Sequence, residues 1–456
     1  MFLPVLGFFV LFTHVSVSII SLYRSDRDAP LVTCYMVVLG FFGLYFLLPA
    51  ALLLFYNSGE FIWVRQLDGP TIFLQTCLLT SLSLGLFQVG YWLGGQRKFI
   101  PTPAQNDRRA LRNTVATALV LCAAGIALKL VALTLGGGFE TSVTRLSGGL
   151  SRTLGVQAAS QTEFYVRTLS GIADAGAVWL VAYSIMHRKL NLIYISLFLV
   201  TVGLAFLGTG KRSYLILPII VFAVSYHKFV APISIKKLPI ASIIVLGFGF
   251  VSLMARIYLP LIFNNLEIDL NRVSWAQGSV IRFYFLSLEF ATFEAFALSI
   301  FYDNQIVALL GDTATAFYRT NLEPLLFFVP RAIWLGKPDT FVDMSHAVRA
   351  IMVGGPVEEG PGIASTLLGT SWALGNIVGL SAAMLSTGFV AAFFDKNARF
   401  LQMSLFQVIQ YSFIIVLMFQ FFRQGTFGWT ILTVLIQQAG LLLGFFVIYG
   451  VKRYVR

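Results

Sequence analysis

The residues best placed to do chemistry lie in the twelve-residue stretch from Phe327 to Pro338, FFVPRAIWLGKP, which holds two cations among apolar and aromatic side chains. The cations, Arg331 and Lys337, stand between Pro330 and Pro338. Proline fixes φ and ends helices, so this backbone is predicted to be stiff and non-helical. The stretch would therefore present positive charge to an anionic group beside a membrane.

A second basic stretch, from Gly208 to Ser213, reads GTGKRS and is similar to the end of a phosphate-binding P-loop. The likeness fails because Ala205 stands where an earlier glycine is required, and Arg212 follows Lys211 where Ser or Thr is required. A glycine turn before a helix N-terminus still leaves free backbone N–H groups that favour an anion. Lys211 and Arg212 are therefore candidate anion-binding residues, with simple contact to lipid headgroups as the competing interpretation.

Three more arginines are candidates. Arg145 and Arg152 lie in a glycine-rich loop that suits either a lid over an anionic ligand or an ordinary mobile connection. Arg282 and Glu289 are seven residues apart and share one face of the apolar stretch Val280–Phe301. A crossing there would put the basic C-terminus on the opposite side of the membrane, so this stretch is predicted to lie at the outer surface or to dip back into it.

Titratable side chains recur at a spacing of three after the proline-bounded stretch. If Val342–Met352 is helical, Asp343, His346 and Arg349 lie near one another on its surface. One histidine with scattered carboxylates does not make a metal site, and no His-x-x-x-His or cysteine pair supports one. We therefore predict neither a metal nor a cofactor.

The elements that must position these residues are membrane helices. The chain of 456 residues is 57% hydrophobic and 11% charged, with a mean hydropathy of +0.82, whereas soluble proteins are about 25% charged. A spanning helix needs roughly 20 apolar residues, and runs of about that length predict about eleven helices. The runs are Phe2–Leu22, Leu31–Phe55, Thr71–Leu93, Thr114–Leu135, Phe164–Met186, Leu190–Leu207, Tyr214–Val230, Ile240–Leu259, Ala373–Phe394, Leu401–Phe422 and Gly428–Val451.

The bias of Lys and Arg among the short loops predicts the orientation. With the basic C-terminus in the cytoplasm, the other basic loops fall on the same side, and the N-terminus and the long interruption face outward. The fold class is therefore an all-α polytopic integral membrane protein of about eleven transmembrane helices with one long external loop that carries short helices. Helices 1–8 occupy residues 1–257, the loop residues 258–372, and helices 9–11 residues 373–456.

Charge and cysteine usage exclude other classes. The net charge of +12 is explained by loop bias and attraction to anionic headgroups, and no nucleic-acid-binding motif accompanies it. The three cysteines lie inside predicted helices, where they are expected to pack and not to form disulfides. Lys129 and Asp174 lie at membrane depth, where a lone charge is costly. They are interpreted either as each other's partner in a structural ion pair, or as a wall of a polar substrate cavity or part of a proton path.

The chain resembles the Wzy-type polymerases of O-antigen and other oligosaccharide repeat units. The resemblance is carried by the number of spans, the glycine-plus-arginine turn, the long outer loop and the proline-bounded stretch. A glycine-spaced helix start follows, at Gly369, Trp372, Gly375 and Gly379. The resemblance covers the architecture and roughly residues 208–379. It implies a glycosyltransferase in a bacterial plasma membrane that moves a growing glycan from undecaprenyl pyrophosphate to the next lipid-linked repeat unit, at the outer face. Such an enzyme would serve lipopolysaccharide or exopolysaccharide synthesis beside a flippase and a chain-length regulator.

The resemblance also implies roles for the candidate residues. A sugar that leaves pyrophosphate develops negative charge on the diphosphate, which guanidiniums stabilise by gripping two oxygens at once, without a metal. Arg331, Arg212 and Arg282 are the first candidates for this role, and Lys211, Lys337, Arg145 and Arg152 are further ones. An acceptor hydroxyl would benefit from a base, and the candidates are His346, Asp343 and Glu289.

Three other functions remain open at this stage. A ligase that moves a finished glycan from the same carrier onto another lipid would use the same charges. A lipid-linked sugar flippase or ion-coupled transporter would use Lys129 and Asp174, although no internal repeat supports one. A scaffold without chemistry would tolerate Arg331→Ala and Arg212→Ala.

Overall fold

A computed structural model describes most of the membrane-embedded chain. It covers residues 2–25, 32–55, 69–95, 108–139, 141, 161–188, 191–209, 213–264, 292–329, 333–335, 342–353, 355–357, 364–400, 403–428, 430–431 and 439–454. Within these residues the regular structure is helical, and no β-strand occurs. The predicted all-α class is therefore confirmed.

The first ten helices build the N-terminal part of the bundle. They are α1 (Phe2–Ser25), α2 (Cys34–Phe42), α3 (Leu48–Phe55), α4 (Gly69–Gly95), α5 (Arg108–Leu135), α6 (Gln161–Leu169), α7 (Ile172–Met186), α8 (Leu192–Thr209), α9 (Ser213–Phe229) and α10 (Leu238–Asn264). A π-helical turn, Gly43–Leu47, joins α2 to α3 into one continuous rod.

Four short helices and three long ones follow. They are α11 (Thr292–Phe301), α12 (Asp303–Leu310), α13 (Thr313–Phe317), α14 (Met344–Val353), α15 (Thr366–Phe400), α16 (Leu405–Gln424) and α17 (Ala439–Tyr454). The predicted boundaries at 258 and 372 thus fall inside α10 and α15. We call α11 to α14 the short-helix layer.

Seven described segments are long and apolar enough to cross a membrane: α1, α2 with α3, α4, α5, α6 with α7, α15 and α16. Helices α11 and α12 meet at 89° and would make an eighth, as a broken span or a re-entrant loop. Shorter apolar helices occupy Leu192–Leu207, Leu217–Phe229 and Ala439–Gly450. The polytopic architecture is confirmed, and the number eleven stays a prediction.

The close contact between α4 and α15 depends on glycine. A Cβ built at Gly90 would overlap the carbonyl oxygen of Leu385, and one built at Gly388 would overlap that of Phe87. Small residues let helix backbones approach closely in a membrane, where dispersion contacts replace the hydrophobic driving force. These two glycines therefore set the contact between α4 and α15.

The buried charge pair lies between α5 and α7. Lys129 Nζ donates to Asp174 Oδ2 at 3.0 Å, and both residues are 8% exposed. A Cβ built at Gly125 would overlap the backbone nitrogen of Ala173, so the two helices touch closely beside the pair. The predicted pairing is confirmed, and each charge has the partner that its burial requires.

A second buried carboxylate joins other helices of the bundle. Asp395, on α15, is 1% exposed and accepts four hydrogen bonds. The donors are Cys34 N at 2.7 Å, Tyr35 N at 3.0 Å, Tyr91 Oη at 3.0 Å and Tyr411 Oη at 2.7 Å. Two of them are the free N–H groups at the start of α2, which a carboxylate stabilises. Asp395 thereby ties α2, α4 and α16 to α15.

The short-helix layer has a core of its own. Its buried members come from α11, α12, α13, α14 and the first turns of α15: Ala295, Leu298, Ile306, Leu310, Ala316, Met344, Ala347, Val348, Met352 and Ala373. The predicted helix at Val342–Met352 is present as α14. The layer is therefore packed structure and positions its side chains on a fixed frame.

Helix α15 is broken near its start. Gly375 (φ −160°, ψ 18°) and Asn376 (φ 48°, ψ −140°) leave the helical region inside its 35 residues. A positive φ is unfavourable for a residue with a Cβ, and such strain collects at functional sites. The break separates the turns that pack on the short-helix layer from the long part that packs on α4.

Candidate functional site

The site begins with Asp343, which directly precedes α14. Its Oδ1 accepts from Ser345 N at 3.0 Å, Ser345 Oγ at 2.6 Å and His346 N at 3.3 Å. This is how an aspartate caps a helix, because the first N–H groups of a helix have no partner within it. The local sequence Asp-Met-Ser-His therefore holds the carboxylate in one place.

His346 lies one turn into α14 and binds the same oxygen. Its Nδ1 is 2.7 Å from Asp343 Oδ1, and the two side chains are 13% and 5% exposed. A carboxylate only accepts, so in the neutral imidazole this hydrogen bond favours the tautomer with its proton on Nδ1 and a lone pair on Nε2. Among the described residues, Nε2 has no hydrogen-bond partner.

An imidazole oriented by a carboxylate, with its other nitrogen open, can take a proton from a hydroxyl. The structure thus brings together two of the three predicted bases, as a pair in which Asp343 orients His346. Arg349, which the sequence grouped with them, donates to the Pro356 carbonyl. The Asp343 carboxylate accepts four hydrogen bonds and is the orienting member of the pair.

The remaining predicted site residues lie outside the residues that the structure describes. They are the third candidate base, Glu289, and the candidate cations Arg331, Arg212, Arg282, Lys211, Lys337, Arg145 and Arg152. Their roles stay predictions.

A further acidic residue, Glu294 on α11, was not among the predicted bases. It is 5% exposed, and it makes no hydrogen bond or ion pair with another described residue. Leu298, one turn later on the same face, belongs to the core that α11 shares with α14. A carboxylate inside an apolar stretch is a sequence signal of function, because burial without a partner is costly.

Three N–H donors near the short-helix layer and the ends of α15 and α16 are buried without an acceptor in the described part of the chain. They are Arg349 Nε, Trp372 Nε1 and Arg423 Nε. Within that same part, no group of three or more His, Cys, Asp or Glu residues could hold a metal ion. His346 and Glu294 can exchange protons, and the three N–H groups can donate to an anion.

Comparison with known proteins supports one family. The model of the family described as "O-antigen polysaccharide polymerase Wzy" matches residues 2–455, nearly the whole chain. No curated protein and no solved structure matches the chain. The match includes the bundle, the short-helix layer and the Asp343–His346 pair.

Proposed function

The chain belongs to the Wzy family of O-antigen polysaccharide polymerases, and on that premise we propose that it extends a glycan carried on undecaprenyl pyrophosphate, at the outer face of a bacterial plasma membrane. Family membership carries the coarser statement, a repeat-unit polymerase that acts on lipid-linked oligosaccharide from within a membrane. The carrier, the face and the residues below are parts of the proposal.

The Asp343–His346 pair is the observation that carries the mechanism. The acceptor sugar hydroxyl gives its proton to His346 Nε2, while Asp343 holds the imidazole through Nδ1. The acceptor oxygen then forms a bond to the anomeric carbon of the donor chain. The bond between that carbon and the phosphate oxygen breaks, and its electron pair leaves on the diphosphate.

Cations must stabilise the negative charge that this step creates on the diphosphate. Arg331, Arg212 and Arg282 are proposed for this role because their guanidiniums bind two phosphate oxygens at once. The charge bias of the loops supports an outer position for the short-helix layer, where lipid-linked repeat units would be joined. A chain-length regulator and a flippase are the proposed partners.

The test is complementation of a strain that lacks its polymerase. The wild-type gene is expected to restore a ladder of glycan lengths, whereas His346→Ala should lower polymer output by about 100-fold or more, the usual range for a general base. His187→Ala is the matched control, since His187 is an exposed histidine at the end of α7. Both variants should melt at the wild-type temperature.

Two outcomes would contradict the proposal. A full ladder from His346→Ala would remove the histidine from the mechanism. Accumulation of long carrier-linked chains in the deletion strain, with the attached ladder missing, would indicate the ligase reaction instead.

A further inference from the structure

Arg423, which the sequence did not single out, lies in the last turn of α16. The residue is partly exposed, but its Nε is buried and has no hydrogen-bond acceptor in the described residues. The same residues offer the guanidinium no ion pair. Arginine cannot lose its proton in a protein, so the group keeps its charge and its demand for acceptors. A buried donor left unpaired is costly enough to require an explanation.

The helix dipole is the simplest explanation, since cations are favoured in the last turn of a helix. It does not supply the missing acceptor, because Arg423 Nε bonds to none of the described carbonyl groups at this end, and two of them accept from other donors. Gly425 N donates to Phe421 O at 2.9 Å, and Ser365 Oγ donates to Gln424 O at 3.1 Å. Gly425, at φ 75°, ends the helix with its own left-handed cap. The dipole thus accounts for a cation here and leaves Nε open.

Polar groups from other segments are hydrogen-bonded to the residues that follow Arg423. Ser365 Oγ also lies 2.9 Å from Thr370 Oγ1 at the start of α15, and Phe427 N donates to Asn321 Oδ1 at 3.0 Å. Thr426 Oγ1, beside Arg423 in the chain, is a further buried polar atom without a partner among the described residues. This arrangement places a positive charge where the end of α16, the start of α15 and the segment around Asn321 meet.

Carboxylates of the short-helix layer do not neutralise this charge. Asp343 is engaged by His346 and Ser345, and Asp312 caps α13 through Thr315 N at 2.6 Å. Partial burial raises the pKa of Glu323, and Arg319, which opposes that rise, is the cation that interacts with it. The missing acceptor for Arg423 is therefore best supplied by an anion from outside the described chain.

We propose that Arg423 binds a phosphate group of the lipid-linked donor and is a further diphosphate-binding residue. The inference rests on the proposed function for the identity of the ligand. The Nε of this guanidinium is buried and its remaining N–H groups are more accessible. Such a group can form bidentate hydrogen bonds with two phosphate oxygens. A phospholipid headgroup carries the same chemistry, so the experiment must separate the two sources.

The experiment measures the binding of inorganic pyrophosphate to the full chain in nanodiscs of zwitterionic phosphatidylcholine. Arg423→Ala is expected to weaken this affinity by about 30-fold, in the range for hydrogen bonds to charged groups. Arg423→Lys should weaken it by about 5-fold to 10-fold, because charge survives but the bidentate geometry does not. Arg24→Ala is the matched control, since Arg24 also lies in the last turn of a spanning helix but is exposed.

Unchanged pyrophosphate affinity in a folded Arg423→Ala protein would overturn the inference, and if that variant does not fold, unchanged affinity in Arg423→Lys would do so. A second arm adds phosphatidylglycerol. If Arg423→Ala reduces only the retention of that lipid, the residue is a headgroup contact and the inference is wrong. Failure of the wild-type gene to restore polymer in the complementation test would instead contradict the proposed function. It would not contradict a measured pyrophosphate site at Arg423.

Discussion

Two buried carboxylates of this protein, Asp395 and Asp343, belong to different kinds of hydrogen-bond network. Asp395 accepts four hydrogen bonds from three other helices, and every donor is a structural group of the bundle. Asp343 also accepts four, but one comes from His346, whose far nitrogen has no partner in the described chain. A closed set of hydrogen bonds can only hold helices together. A set that ends on an open imidazole nitrogen can pass a proton to or from a bound hydroxyl.

The same contrast separates two other charged groups. Lys129 and Asp174 satisfy each other at 3.0 Å between α5 and α7. Glu294, on α11, is as deeply buried but meets no partner in the described residues. A charge pair lies between α5 and α7, whereas the buried carboxylate of Glu294 lies unpaired among the described residues of the short-helix layer. The comparison suggests where chemistry occurs, and three substitutions test it.

The largest effect is expected from Asp395→Ala. Four donors would lose their acceptor at once, and removing one partner of a buried charged network costs about 3–5 kcal/mol. The variant should therefore yield little folded protein or melt far below the wild type in detergent. Asp312→Asn is the control, because Asp312 is an exposed helix cap and asparagine caps as well as aspartate. A wild-type melting temperature for Asp395→Ala would show that this carboxylate does not hold the bundle.

A smaller and different effect is expected from Asp343→Asn. Asparagine still caps α14, so the free energy of unfolding should change by less than about 1 kcal/mol. The amide can instead turn its NH₂ group toward Nδ1, which disfavours the imidazole tautomer that keeps Nε2 open. Turnover in a polymerisation assay should fall by about 10-fold to 100-fold, while KM for the acceptor stays unchanged. A large loss of stability with normal turnover would make Asp343 a cap and nothing more.

The smallest effect is expected from Glu294→Gln. The substitution keeps the shape and removes the charge, and no described partner is lost, so stability should change by no more than about 1 kcal/mol. If Glu294 exchanges a proton during the reaction, turnover should fall while folding is kept. Ser299→Ala on the same helix is the control, because Ser299 Oγ only bonds the Ala295 carbonyl. Equal turnover for both variants would make Glu294 an inert buried acid.

Much of the architecture could be predicted because it depends on local composition. A backbone in a bilayer must satisfy its own N–H and C=O groups, so a long apolar run becomes a helix whatever its neighbours are. Described helices accordingly occur in all eleven predicted runs. The Lys129–Asp174 pair could be predicted for a related reason, since a charge at membrane depth needs a partner and few are available.

The candidate site was predictable only in part. His346 and Asp343 are three residues apart, so helical spacing alone could bring them together. Arg349 follows at the same spacing, but spacing alone does not reveal that its guanidinium donates to the carbonyl of Pro356 in the backbone turn at residues 355–357. Glu294 carried a visible signal, whereas the open Nε of Arg423 depends on which neighbouring carbonyls are already engaged.

By itself, the sequence determined that this chain is a helical membrane protein and where its helices run, because those properties are set within about 20 consecutive residues. The tertiary structure alone decided which polar groups are satisfied. Asp395 meets Cys34 across 361 positions of the chain, and no pattern of neighbouring residues encodes that contact. Whether a buried charge is structural or open to a ligand depends on partners that only folding brings within hydrogen-bond distance.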